Sequence, residues 1–129
     1  MNRVKKVIHT DYAYKSGLSG KNVTVVVMDT GIVPHPDFDN RIVTFMDFCN
    51  GRVGLYDDNG QGTHVSGIIG GSGKMSMDKR GICVYSGIAP EANIIMLKVL
   101  DEHGNGNTEK VLEGIDWIIQ NKEKYNIRL

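Results

Sequence analysis

The sequence is poor in the residues that staple or stiffen small folds: two cysteines, three prolines and one tryptophan in 129 residues. Cys49 and Cys83 allow one disulfide at most, so no disulfide framework holds the chain, and idle or buried thiols in a cytoplasmic setting are expected. Long hydrophobic runs are missing too. The opening Met-Asn-Arg-Val-Lys-Lys-Val-Ile is basic, but Asp11 and Lys15 arrive before any apolar stretch long enough for a secretory leader, and no segment approaches a membrane span. Net charge is the third absence. Fifteen basic residues face fifteen acidic ones, so no summed field favours a nucleic acid or an anionic membrane, and neither is expected as a partner. Repeats and low-complexity tracts do not occur. A hydrophobic content of 40% remains, which suits one soluble domain with a real core.

Residues 1–22 read as a polar lead-in with a short helix near Asp11–Ser16. Residues 23–129 read as one α/β unit. Val23–Met28 is almost continuously β-branched and apolar, the pattern of a parallel strand buried on both faces, and it ends at Asp29. Loops dominate from Thr30 to Gly62, interrupted by a second short strand at Ile42–Phe48. Thr63–Ile69 is helical and Gly70-Gly71 ends it. After a polar loop over 72–90, Ile94–Val99 forms another strand, and Val111, Leu112, Ile115, Ile118 and Ile119 mark a helix capped at Asn107 or Thr108. Alternating strands and helices predict right-handed crossovers and a three-layer parallel sheet flanked by helices. Tyr125–Leu129 reads as a turn and the first residues of a further core strand, so the domain is incomplete in this chain. A sheet so short leaves apolar edges and faces exposed, which favours aggregation or pairing with a missing partner.

Two residues stand out chemically. Asp29 closes a buried strand at its carboxyl end, where open α/β sheets place catalytic groups. By itself such an aspartate more often only ties turn amides. His64 opens the next helix within Gly62-Thr63-His64-Val65-Ser66-Gly67. Near a helix start the dipole disfavours imidazolium, so a basic His64 needs a compensating carboxylate, and Asp29 is the candidate. An aspartate that accepts from one ring nitrogen leaves the other free to take a proton from a hydroxyl, the logic of a catalytic triad.

Val25–Ile32 with His35-Pro36-Asp37 resembles the aspartate block of the subtilisin family of serine proteases, and Gly62–Gly67 resembles its histidine block. Gly87–Ala92 and Leu97–Leu100 also resemble the family, in the same order. The resemblance implies a serine-type endopeptidase with Asp29 and His64 as triad members. It also implies that Leu100, Gly104, Asn105 and Gly106 bind an extended peptide or protein substrate, with Leu100 and Thr108 lining pockets. Asp37 resembles an aspartate that often ligates a structural calcium. The loop that would complete such a cage is longer here and cationic (Lys74, Lys79, Arg80), so no metal is expected, and the chemistry needs no cofactor. His9, His35 and His103 lack partners at metal-ligand spacing.

The nucleophile is missing. Ser16, Ser19, Ser66, Ser72, Ser76 and Ser86 all lack the strand-to-helix elbow of an activated serine, so the 129 residues are expected to be inactive alone. The missing C-terminal half of the domain is the expected partner. Two rivals stand beside this reading. One is a non-catalytic peptide-binding or regulatory fragment of the same fold. The other is an aspartic protease, suggested by Asp29-Thr30-Gly31 but opposed by the amphipathic helix at 108–121 and the unexplained Gly62-Thr63-His64.

Overall fold

A computed structural model describes residues 1–128. Three strands, β1 (Thr24–Asp29), β2 (Ile42–Asp47) and β3 (Asn93–Lys98), form one parallel sheet in the order β1-β3-β2. The central strand is the one whose apolar run is unbroken. Ile94, Ile95, Met96 and Leu97 each have 0% exposure, as expected of a parallel strand covered on both faces. Asp29 of β1 and Asp47 of β2 both pair with Lys98 of β3, so three charged residues end the sheet together.

Among the described residues four α-helices accompany the sheet: α1 (Asn2–Val7), α2 (Thr10–Lys15), α3 (Gln61–Gly70) and α4 (Thr108–Asn121). α3 lies on one face because its small residues Gly62, Ser66 and Gly70, spaced by four, are buried and let the helix approach closely. Val65 and Ile69 of α3 pack with Val27, Ile32, Phe38, Ile94 and Met96. α4 takes the other face. Its start is capped by the Asn107 side chain, which accepts from the Lys110 N–H at 2.9 Å, with Glu109 in the first turn. Ile118 and Trp117 then pack with Ile95, Leu97, Tyr125 and Ile127.

One packing detail makes a stability prediction. The Ser66 hydroxyl is fully buried and has no hydrogen-bond partner among the described residues. Removing an orphaned buried hydroxyl relieves its desolvation cost, so Ser66→Ala should stabilise the fold by about 1 kcal/mol, read as a higher urea midpoint.

The sheet and its flanking helices match the expected architecture, and the difference lies at the two ends. The lead-in contains α1 as well as the helix foreseen near Asp11. α1 escapes a sequence reading because none of its residues is buried, so no apolar periodicity marks it. At the other end, residues 122–126 turn back and Ile127 is buried at 5% exposure, but no strand forms over 125–128. Leu129, the last residue of the foreseen strand, lies outside the described residues. The outer edge of β1 therefore has no neighbour among the described residues. A cavity of about 590 Å³ runs along that edge, lined by Val23, Val25, Ile118, Ile127 and Arg128. Beyond it, Leu112, Ile115 and Ile119 of α4 are 55%, 40% and 58% exposed.

Candidate active site

Asp29 ends β1 half-buried, and its backbone carbonyl accepts from the N–H groups of Val99 and Leu100 at 3.0 and 3.3 Å. Its carboxylate accepts from the Thr30 N–H at 2.7 Å. Gly31 follows with φ of 136°, a backbone state that side chains rarely tolerate. A Cβ there would meet the Tyr56 carbonyl, and a Cβ on Gly62 would overlap the Gly31 carbonyl. The Asp29-Thr30-Gly31 turn is thus clamped between residue 56 and the start of α3.

That clamp decides where His64 points. Gly62 is the residue of α3 that faces the turn, and two residues further along an α-helix is a rotation of about 200°. His64 is accordingly exposed and lines a cavity of about 290 Å³ with His35, Asp37, Phe38, Tyr85 and Ser86. No hydrogen bond or ion pair joins it to Asp29 among the described residues. In this structure the Asp29 carboxylate is engaged by the Thr30 N–H while the His64 ring lines a separate cavity, so the expected Asp29–His64 hydrogen bond is not formed among the described residues. The α3 side chain next to the foreseen substrate segment is Gln61, whose Oε1 lies 3.8 Å from where a Cβ of Gly104 would stand.

Two hubs that a sequence reading misses organise this end of the sheet. Asp57 accepts from the Thr30 hydroxyl at 2.8 Å, the Gly60 N–H at 2.8 Å, the Thr63 N–H at 2.8 Å and the Thr63 hydroxyl at 2.6 Å. The Thr30 hydroxyl in turn accepts from the Gly62 N–H at 2.9 Å. Partial burial works against the Asp57 charge, but the hydrogen bonds from Thr63, Gly60 and Thr30 outweigh it and hold the carboxyl at about 2. Asp57 thereby ties the aspartate turn to the orphan amides at the start of α3.

Lys98 is the second hub. Its side chain is 0% exposed, and its ammonium donates to the Thr30 carbonyl at 2.6 Å, the Asp58 carboxylate at 2.8 Å and the Leu100 carbonyl at 2.8 Å. All three of its protons are used, which is what a buried ammonium requires. The available signal was a single lysine inside the run Ile94–Val99, and for Asp57 an acidic pair just ahead of a helix start.

The residues implied as substrate-binding lie on the one turn that joins β3 to α4. Leu100 is half-buried, and the chain then turns over Asp101–Asn105. Asp101 organises that turn, its carboxylate accepting from the N–H groups of His103 and Asn105 at 2.9 Å each. Those bonds, first the one from Asn105, lower the Asp101 pKa below the ordinary carboxylate value. Asn105 spends both backbone groups inside the turn, its carbonyl accepting from Asp101 N–H at 2.8 Å. Gly106 is exposed and its N–H and carbonyl have no partner among the described residues. Beside it a cavity of about 310 Å³ is lined by Cys49, Val99, Asn105, Gly106 and Lys110. Thr108 stands exposed in the first turn of α4. The Asn59 amide donates to the Glu102 carbonyl at 3.0 Å and joins the Asp57 loop to this turn.

The residues around Asp37 do not fit a calcium ion. Its carboxylate accepts the Met75 N–H at 2.9 Å, and the next residue back, Lys74, pairs with Asp39 at 3.2 Å. The loop thus offers Asp37 a donor and a cation where a calcium cage needs oxygens. No cluster of three or more metal-ligating side chains exists among the described residues. Both cysteines are free thiols, and burial pushes the Cys49 thiol up from its usual pKa.

Comparison with known proteins gives these features a common origin. The Subtilase family profile matches residues 20–127. A protein described as serine protease AprX from Bacillus subtilis is 48% identical over 106 residues, covering 82% of this chain and 23% of that protein. The major intracellular serine protease of the same organism is 37% identical over 123 residues, covering 91% of this chain and 36% of that protein. The crystal structure of a cold-adapted subtilisin-like serine proteinase superposes with a TM-score of 0.67 at 38% identity, covering 81% of this chain and 34% of that one. The chain thus spans from 23% to 36% of the length of these relatives, and it belongs to the subtilase family.

Proposed function

We propose that this chain is the aspartate-bearing part of a serine-type endopeptidase domain, and that alone it holds extended peptide without hydrolysing it. Asp29 is the relay carboxylate. Leu100, the Gly104 carbonyl and the free backbone groups of Gly106 are the substrate surface, and Asn105 contributes through its side chain because its backbone is spent on the turn. The serine chemistry of the whole protein is supported by the names of relatives such as serine protease AprX and the major intracellular serine protease of Bacillus subtilis.

The observation that carries the non-hydrolytic half of the proposal is the orientation of His64. A base has to lie within hydrogen-bond reach of both its orienting carboxylate and its nucleophile. His64 makes no hydrogen bond to Asp29 among the described residues, and no serine lies at a strand-to-helix elbow. The remainder of a peptidase domain is the partner we assign to the open edge of β1 and to Leu112, Ile115 and Ile119 of α4. A strand added there satisfies the unpaired β1 backbone, and a helix beyond it covers the α4 stripe.

The test combines an extended fluorescent peptide with a serine-directed phosphonate. Saturable peptide binding with no cleavage and no label is the expected result, and His64→Ala should leave the affinity unchanged. Cleavage by the chain alone, abolished by His64→Ala, would sink the proposal.

A further inference from the structure

A second apolar surface shares no residue with the β1 and α4 surface. Residues 75–85 fold back on themselves: Met77 and Cys83 form an antiparallel bridge, the Val84 N–H donates to the Ser76 carbonyl at 3.3 Å, and the Asp78 N–H donates to the Ile82 carbonyl at 2.9 Å. The hairpin points its large side chains outward. Met75, Met77, Ile82 and Tyr85 are 67%, 52%, 51% and 71% exposed. A Cβ on Gly81 at the tip would meet nothing within 4 Å, so the tip stands clear of the body. α1 lies beside the base of the hairpin, its Lys5 ammonium donating to the Ser86 hydroxyl at 2.5 Å, and it adds exposed Val4 and Val7.

The same two segments carry a net positive charge, even with Lys74 paired to Asp39. Residues 1–10 and 73–86 contain Arg3, Lys5, Lys6, Lys74, Lys79 and Arg80 against one acidic residue, Asp78, whereas the rest of the chain has nine basic and fourteen acidic residues. A neutral protein is therefore strongly polarised. The count that argued against a membrane partner sums this asymmetry away.

We propose that the hairpin and α1 dock on an anionic phospholipid surface. Exposed apolar side chains interleaved with Lys and Arg are the makeup of elements that lie in a membrane interface, where each basic residue adds to the attraction of an anionic leaflet. Like charge opposes the alternative of a second copy seated on this surface. A shaped protein partner fits less well than a deformable lipid surface, because Met77 and Ile82 flank a free-standing tip, and only Tyr85 at the hairpin's base also lines a cavity. Met77 and Ile82 enter the headgroup layer while Lys79 meets the phosphates, joined by the Arg80 donors that its ion pair with Asp78, at 2.7 Å, leaves free. Nothing here crosses the membrane: no helix among the described residues is long and apolar enough to do so.

Co-sedimentation with vesicles tests this without reference to peptidase activity. The unmodified chain should pellet with phosphatidylcholine vesicles containing phosphatidylglycerol, should not pellet with pure phosphatidylcholine, and should be released by salt. The double substitution Lys79→Glu with Arg80→Glu should weaken binding by about tenfold or more, and Met77→Ser with Ile82→Ser should also weaken it. Lys122→Glu with Lys124→Glu, on the segment after α4, should not. Absence of phosphatidylglycerol-dependent binding by the unmodified chain overturns the proposal, as does equal loss in the Lys122 and Lys124 variant. Capture by polyglutamate that vesicles fail to displace also overturns it, in favour of an acidic protein partner.

Discussion

Replacing Lys98 with methionine is expected to lower the stability of the fold by about 3 kcal/mol, the low end of what breaking a buried ion pair costs. Methionine matches the length of the lysine stem but leaves the carbonyls of Thr30 and Leu100 without their donor, the Thr30 contact being fully buried. Asp58 is the partner that suffers least, because its side chain is 33% exposed and can turn to solvent, and this places the estimate at the low end. Asp58→Asn should therefore cost much less, about 1 kcal/mol, since an amide oxygen still accepts from the ammonium. Urea denaturation of the two variants checks the ranking. Parent-like stability of Lys98→Met would mean that the three acceptors find other partners and that the ammonium does not organise the sheet end.

Asp57→Ala is expected to cost about 3 kcal/mol as well, because it strips the Thr63 hydroxyl, the amides of Asn59, Gly60 and Thr63, and the Thr30 hydroxyl of a charged acceptor at once. The same carboxylate makes the fold acid-labile. Its folded pKa of about 2 lies below the ordinary value of 3.8, so the folded state favours the ionised form. That stabilisation is fully present above pH 3.8 and disappears as pH falls through about 2, amounting to about 2 kcal/mol. A denaturation series between neutral pH and pH 2 should show the parent losing stability over that window, with Asp57→Ala losing correspondingly less. Parallel curves for the two proteins would remove Asp57 as the cause.

The three strands and the two sheet-covering helices are legible in the residues because burial on both faces demands the unbroken runs at Val23–Met28 and Ile94–Val99, and burial on one face demands the spacing from Val111 to Ile119. Legibility stops where a side chain's direction depends on the phase of a helix. Glycines around His64 suggest room for a catalytic imidazole, yet the spacing of Gly62, Ser66 and Gly70 fixes the buried face of α3 and turns His64 outward. That spacing is itself in the sequence, and only its contact with Gly31 gives it a direction. Lys98 and Asp57 are hidden for a different reason. Each gathers partners that are distant along the chain, with Thr30 lying 68 residues from Lys98, and no local pattern announces such a convergence. The polarised charge is hidden because a sum over the sequence discards position.

The placement of β3 between β1 and β2 has a consequence for synthesis on the ribosome. The central strand is the last of the three to be made, and among the described residues β1 and β2 pair with β3 and not with each other. Until residues 93–98 have left the exit tunnel, the nascent polypeptide therefore has no partner for either earlier strand. A translation pause before that point leaves two solitary β segments waiting, the state most open to capture by chaperones. A pause after it leaves a three-stranded sheet already closed around its middle.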